Sequence, residues 1–150
     1  VTPAILEIFL SNTCNLACTY CRVGNSSKIE TEVKKYPEQK EFSERYFGKL
    51  EDNLSREEIK EYKELCLDWL ARKGTSLRRF HLLGGEPFYT PEFPEFIEIW
   101  EKHPNPNLIL NVVSNVNVQH SRWKTQIDKI LDLVRRKKIE EFELTASLDC

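Results

Sequence analysis

The sequence contains no methionine, even at its first position, and it ends on Leu148-Asp149-Cys150 inside what reads as a strand. From both features we expect a trimmed piece of a longer chain. Long hydrophobic runs are missing too. No apolar stretch approaches the roughly 18 residues of a membrane span, and Val1-Thr2-Pro3 leads straight into a strand pattern instead of a secretory leader. Charge of one sign is also lacking, since 22 Lys and Arg stand against 24 Asp and Glu, for a net charge of −2. That balance gives no footprint for nucleic acid or for an anionic membrane. A disulfide framework is equally absent from the pattern: of five cysteines, three crowd into one stretch of eight residues. Such crowding suits a metal site in a reducing compartment, so a cytoplasmic location is expected. What remains, 40% hydrophobic and 31% charged residues, fits a globular domain, or part of one, with a single sizeable core.

Ala4–Leu10 is a short apolar run bounded by Pro3 and Ser11-Asn12, and reads as a strand covered on both faces. Residues 22–53 are polar and charged, with turn signals at Gly24-Asn25-Ser26-Ser27 and Lys34-Lys35-Tyr36-Pro37. They read as an extended loop or insertion, packed down by Tyr36, Phe42, Tyr46 and Phe47. Ser55 and Glu58 then form a capping box, with Leu54 and Ile59 as a hydrophobic staple. Ile59, Tyr62, Leu65, Cys66, Trp69 and Leu70 recur at helical spacing until Gly74. A second strand is expected over Leu77–Leu83. It is followed by a helix carrying Phe93, Phe96, Ile97 and Trp100, with Pro94 tolerated in its first turn and His103-Pro104-Asn105-Pro106 as its stop. A third strand spans Leu108–Val113. Ser121 is a candidate cap for a helix with Trp123, Ile127, Ile130, Leu131 and Val134 inward, and Phe142–Leu148 is a fourth strand. Strands alternating with helices predict an α/β fold with a parallel sheet and right-handed crossovers. Ligands of such sheets collect at the carboxyl ends of the strands.

The motifs sit at those ends. Cys14, Cys18 and Cys21 form a C-x-x-x-C-x-x-C loop after the first strand. Three thiolates can hold three corners of a cubic iron–sulfur cluster, for which four is the usual complement, leaving one iron open. A zinc loop or stray core cysteines can imitate the spacing. Gly84-Gly85-Glu86-Pro87 follows the second strand. Its glycines permit a close backbone approach to a ligand and its carboxylate can pair with an ammonium group, although an ordinary turn has the same look. Ser114-Asn115 follows the third strand, and Ser147-Leu148-Asp149 ends the fourth.

The cysteine spacing, with aromatic Tyr20 before the last cysteine and Gly-Gly-Glu-Pro one helix later, resembles the radical S-adenosylmethionine (radical SAM) superfamily. The resemblance implies the first four strand–helix units of a partial (β/α)6 barrel. It implies a 4Fe-4S cluster on Cys14, Cys18 and Cys21, with the amino and carboxylate groups of S-adenosyl-L-methionine (SAM) on the fourth iron. Gly84, Gly85, Glu86 and Pro87 would take the amino group of SAM, and Tyr20 would pack near its adenine or prop up the loop. Ser114 and Asn115 match a Thr-Asn-Gly-like strand end, although Val116 replaces the glycine. Ser147 matches a serine that contacts SAM, and Asp149 is a second candidate there or a helix cap. The implied activity is reductive cleavage of SAM to a 5′-deoxyadenosyl radical that abstracts a hydrogen atom, with an electron donor such as flavodoxin or ferredoxin. The Cys-Asn-Leu-x-Cys-x-Tyr-Cys wording is similar to the members with a C-terminal SPASM or twitch extension, which often modify peptides or proteins. An activating enzyme for a glycyl-radical partner stays open, as does a non-catalytic module stapled by zinc or a cluster.

The remaining candidates read as structural. Cys66 lies on the apolar face of a helix and His81 alternates within a buried strand, so both are expected in the core. His103 and His120 flank helices, and Arg135–Lys138 is a solvated helix end. Glu7 and Glu143 lie within strands whose register decides whether they face inward, and Cys150 falls at the very end.

Overall fold

The structure, a computed structural model, describes residues 2–47 and 56–148. Four strands, β1 (Ile5–Phe9), β2 (Arg79–Leu83), β3 (Asn105–Ser114) and β4 (Ile139–Ala146), form one parallel sheet in the order β1-β2-β3-β4. The helices α3 (Arg56–Lys73), α4 (Phe93–Lys102) and α5 (His120–Arg135) make the crossovers. The α/β class and the parallel sheet are as the alternation predicts.

The sheet has two unlike faces. Toward the helices it turns Ile8, Phe80, Leu82, Leu108, Leu110 and Val112, all at most 1% exposed. Leu70 of α3, Phe93, Phe96, Ile97 and Trp100 of α4, and Ile127, Ile130 and Leu133 of α5 close over them. Phe80 meets Trp100 edge to face at 5.7 Å, so the largest ring of the core is fixed by its geometry as well as by burial. The opposite face carries Ile5, Glu7 and Phe9 of β1, and among the described residues no helix covers it: Ile5 is 59% and Phe9 42% exposed. This corrects the expectation of a first strand covered on both faces. Ile5-Leu6-Glu7-Ile8-Phe9 is apolar at both parities, so composition does not tell which side the helices take.

Residues 22–47 are not an extended loop. A one-turn helix at Val23–Asn25 leads into α1 (Ser27–Lys35) and α2 (Pro37–Phe47). Ser26 caps α1, its side chain accepting from Ile29 N, and Val23 and Val33 are buried. Tyr36 and Phe42, expected to pack this segment down, are 39% and 59% exposed.

Two helix faces differ from the periodic reading. Leu65 is 62% exposed while Leu67 packs against the core. Leu131 is 43% exposed while Leu133 is 3%. In each case apolar residues lie on both sides of the stripe, and the rotation of the helix on the sheet selects one. β3 begins at Asn105, three residues before its apolar run, since buried Asn105 holds Gly74 O at 3.0 Å and Leu77 O at 2.8 Å, anchoring the strand entry. A register shift between Asn105 and Ile109 takes up Pro106, which has no amide hydrogen to donate to the ladder. β4 likewise starts at Ile139 and ends at Ala146, earlier than expected. The basic run at the end of α5 is exposed, but Arg136 and Lys138 pair with Glu101 of α4, so it also clamps two helices. Ser55, Leu54 and Cys150 lie outside the described residues.

Candidate cofactor site at the strand ends

The loop leaving β1 is held against the end of β2 by backbone. Gly85 N donates to Ser11 O (2.9 Å) and Glu86 N to Thr13 O (2.7 Å). The two glycines are required by this contact. A Cβ on Gly85 would lie 2.5 Å from Thr13 O, 2.7 Å from Asn12 O and 2.8 Å from Cys14 Cβ. On Gly84, whose φ is +153°, it would lie 2.9 Å from Ser11 O. The close approach read from the sequence therefore exists, but its partner is the cysteine loop itself.

Glu86 is wholly buried. Its carboxylate accepts from Phe88 N (3.1 Å), from Ser114 Oγ (2.9 and 3.0 Å to the two oxygens) and from Asn115 N (2.8 Å). One residue thus caps the short helix Pro87–Tyr89 and locks the end of β2 to the end of β3. Burial pushes the carboxyl above its ordinary range, opposed by the hydrogen bonds from Asn115, Phe88 and Ser114. Among the described residues no Lys, Arg or His pairs with it. Three donated hydrogens face roughly four lone-pair directions, so one acceptor direction is left over.

Asn115 carries the link back to the cysteines. Its Nδ2 lies 3.0 Å from Asn15 Oδ1 and 3.8 Å from Cys14 Sγ, while Asn15 Nδ2 donates to Asn117 O at 2.6 Å. Val116, standing where a glycine was expected, still adopts the left-handed conformation with φ 49° and donates its N–H to Ser114 Oγ at 3.0 Å. The turn after Ser114 thus holds a β-branched residue in a strained left-handed conformation. Ser147 N donates to Ser114 O (2.8 Å), adding the end of β4 to the same cluster.

Residues from α1, which the sequence reading left out, complete the cysteine loop. Buried Ser26 donates from Oγ to Leu16 O (2.7 Å), and Ser27 binds both Cys14 N (3.1 Å) and Cys14 O (3.3 Å) through its hydroxyl. Asn12 Nδ2 donates to Glu30 at 3.0 Å. The signal for them was present as Ser26-Ser27 ahead of Ile29, Glu30 and Val33, a capped helix start with one apolar turn.

Cys14, Gly84, Gly85, Glu86, Pro87, Ser114, Asn115 and Ser147 are thus brought together. Cys14, Cys18 and Cys21 are all half-buried, and none forms a disulfide among the described residues. Their chemistry suits iron and sulfide, since soft thiolates are the donors such clusters take. Among the described residues no three Cys, His, Asp or Glu side chains converge as a metal-binding group. Tyr20 is 52% exposed beside Cys21, and Asp149 lies outside the described residues. Cys66 packs half-buried against the core, as its place on the apolar helix face predicts, beside Tyr62, whose hydroxyl burial pushes up to about 12. His81, by contrast, is not in the core and lies on the uncovered sheet face.

Among the described residues no helix is long and apolar enough to cross a membrane. Comparison with curated proteins found no match, nor did comparison with solved structures. The family model of the radical SAM superfamily matches residues 8–145, a span that runs from within β1 to within β4 and holds the linked strand ends apart from Ser147. The chain belongs to the radical SAM superfamily, a family of enzymes.

Proposed function

We propose that this chain binds a 4Fe-4S cluster through Cys14, Cys18 and Cys21 and cleaves SAM reductively, to take a hydrogen atom from a peptide or protein substrate. The observation that carries the reading is the junction at Glu86: a buried carboxylate with no cationic partner among the described residues, joined through Asn115 to the cysteine loop. A buried charge without a partner is costly, and an ammonium group is the partner it lacks. When bound, the cluster supplies the electron that splits the sulfonium of SAM, and the adenosyl fragment then abstracts hydrogen.

The residues of the chain place and shield. Glu86, bracketed by Ser114 and Asn115, supplies the negative charge for the amino group of SAM, and Gly84, Gly85 and Pro87 give that position its backbone shape. Ser147 would contact the ribose or carboxylate of SAM, with Asp149 as a second candidate from the sequence, and Tyr20 would pack near its adenine. Ser26 and Ser27 fix the loop that carries Cys14, so the thiols start from a backbone already held. A flavodoxin or ferredoxin delivers the electron, and the protein works in the cytoplasm.

The test is iron and sulfide content together with dithionite-driven formation of methionine and 5′-deoxyadenosine, in the full-length protein and its Cys18→Ala variant. The wild type is expected to hold about four irons and to cleave SAM, and the variant to lose both. Stoichiometric zinc without SAM cleavage in the wild type would favour a stapled binding module instead.

A further inference from the structure

The sheet face turned away from the helices carries a polar row that the strand-end site does not use. Register sets Glu7 beside His81, His81 beside Asn111, and Asn111 beside Glu143. The row crosses all four strands two residues inside Phe9, Leu83, Val113 and Thr145, about 7 Å below the strand ends where ligands of parallel sheets gather.

Its internal bonds fix what it can offer. Asn111, 4% exposed, donates from Nδ2 to Thr145 Oγ1 (2.9 Å) and to Glu143 Oε2 (3.4 Å), which leaves its Oδ1 facing His81 Nδ1 at 3.1 Å. An amide oxygen only accepts, so the hydrogen sits on Nδ1, and Nε2 of the uncharged ring keeps its lone pair. Arg79 holds Glu143 with both terminal nitrogens, one at 3.2 Å, so these two charges cancel. Glu7 is exposed and, among the described residues, forms no ion pair. The net result is two acceptors on neighbouring strands, the Glu7 carboxylate and His81 Nε2, with one uncompensated negative charge.

We propose that Glu7 and His81 form a recognition subsite for a primary ammonium group on the substrate, with Asn111 and the Arg79–Glu143 pair acting as positioning residues for the His81 ring. The subsite rests on the radical SAM reading, since it assigns the substrate of that same chemistry. Charge complementarity selects the class: an ammonium group donates to both acceptors and cancels the charge, a carboxylate is repelled, and an alkyl group leaves both unmet.

Calorimetric titration of the full-length protein with N-acetyl-lysine amide tests this, with N-acetyl-norleucine amide and N-acetyl-glutamate amide as the uncharged and anionic probes. The lysine probe is expected to bind at least about tenfold more tightly than either, a difference of one ion pair between partly buried groups. Glu7→Gln is expected to remove most of that preference. His81→Asn is expected to do so too, because an asparagine amide can keep the bond to Asn111 but has nothing in place of Nε2. Equal binding of the three probes, or a lysine preference that survives both substitutions, overturns the subsite. SAM affinity measured on the same samples separates the two failures. Intact SAM binding with no lysine preference removes the subsite alone, whereas absent SAM binding removes the reading on which it rests.

Discussion

Glu86 shows how one side chain can be structural and functional for the same reason. Its carboxylate joins two strand ends through three donors, and burial raises its pKa from 4.5. The folded state therefore holds the proton more tightly than the unfolded chain. The stability this contributes is complete below the unfolded value and is lost as pH rises through the higher folded value. The unfolding free energy of the wild type is thus expected to fall relative to Glu86→Gln as pH rises from 4.5 toward neutrality, as measured by urea titration across that range. A difference that moves the other way would contradict the assignment of burial as the dominant cause. Gly85→Ala is expected to cost more than about 2 kcal/mol, because its Cβ would meet two backbone oxygens that no rotamer can move. An unchanged denaturation midpoint would mean the cysteine loop is not held there. Val116→Gly should stabilise by about 1 kcal/mol, since a half-exposed β-branched residue is relieved of a left-handed conformation. Destabilisation by a similar amount would show that side-chain packing outweighs the strain.

Among the elements, α1 is the one whose role exceeds its prominence in the sequence. Ser26 both caps it and holds Leu16 O, so Ser26→Ala removes a cap and a buried hydrogen bond together. About 2 kcal/mol of destabilisation is expected, with poorer iron incorporation on reconstitution. A loss below about 0.5 kcal/mol would leave α1 without the anchoring role. The strands and the three crossover helices were legible because their apolar periods are strong. Phe93, Phe96, Ile97 and Trp100 point where their spacing says. The motifs were legible as types at strand ends. What stayed hidden has local physical causes. Leu65 and Leu131 were misplaced because the helical stripe is wider than the face the sheet covers. The helices after Cys21 leave little periodic signal because their apolar content is small, and what holds the segment are serine hydroxyls donating to loop carbonyls. Glycine pairs announce a close approach without naming the partner, and here the partner is backbone.

For the whole molecule, the division of the sheet into an apolar helix-side face and an open face crossed by a polar row sets the chemistry. The first builds the core, and the second leaves Glu7, His81, Asn111, Arg79 and Glu143 in line beneath the strand ends. The cysteine loop, the Glu86 junction and this row come from different strands, and their juxtaposition depends on register, which no single segment encodes. The central claim is that the three cysteines hold a cluster with one iron open to SAM. It is tested most directly by electron paramagnetic resonance of the anaerobically reconstituted, reduced full-length protein with and without SAM. A 4Fe-4S signal that changes when SAM is added is the predicted result; a preparation with no cluster signal, or a signal indifferent to SAM, would contradict it.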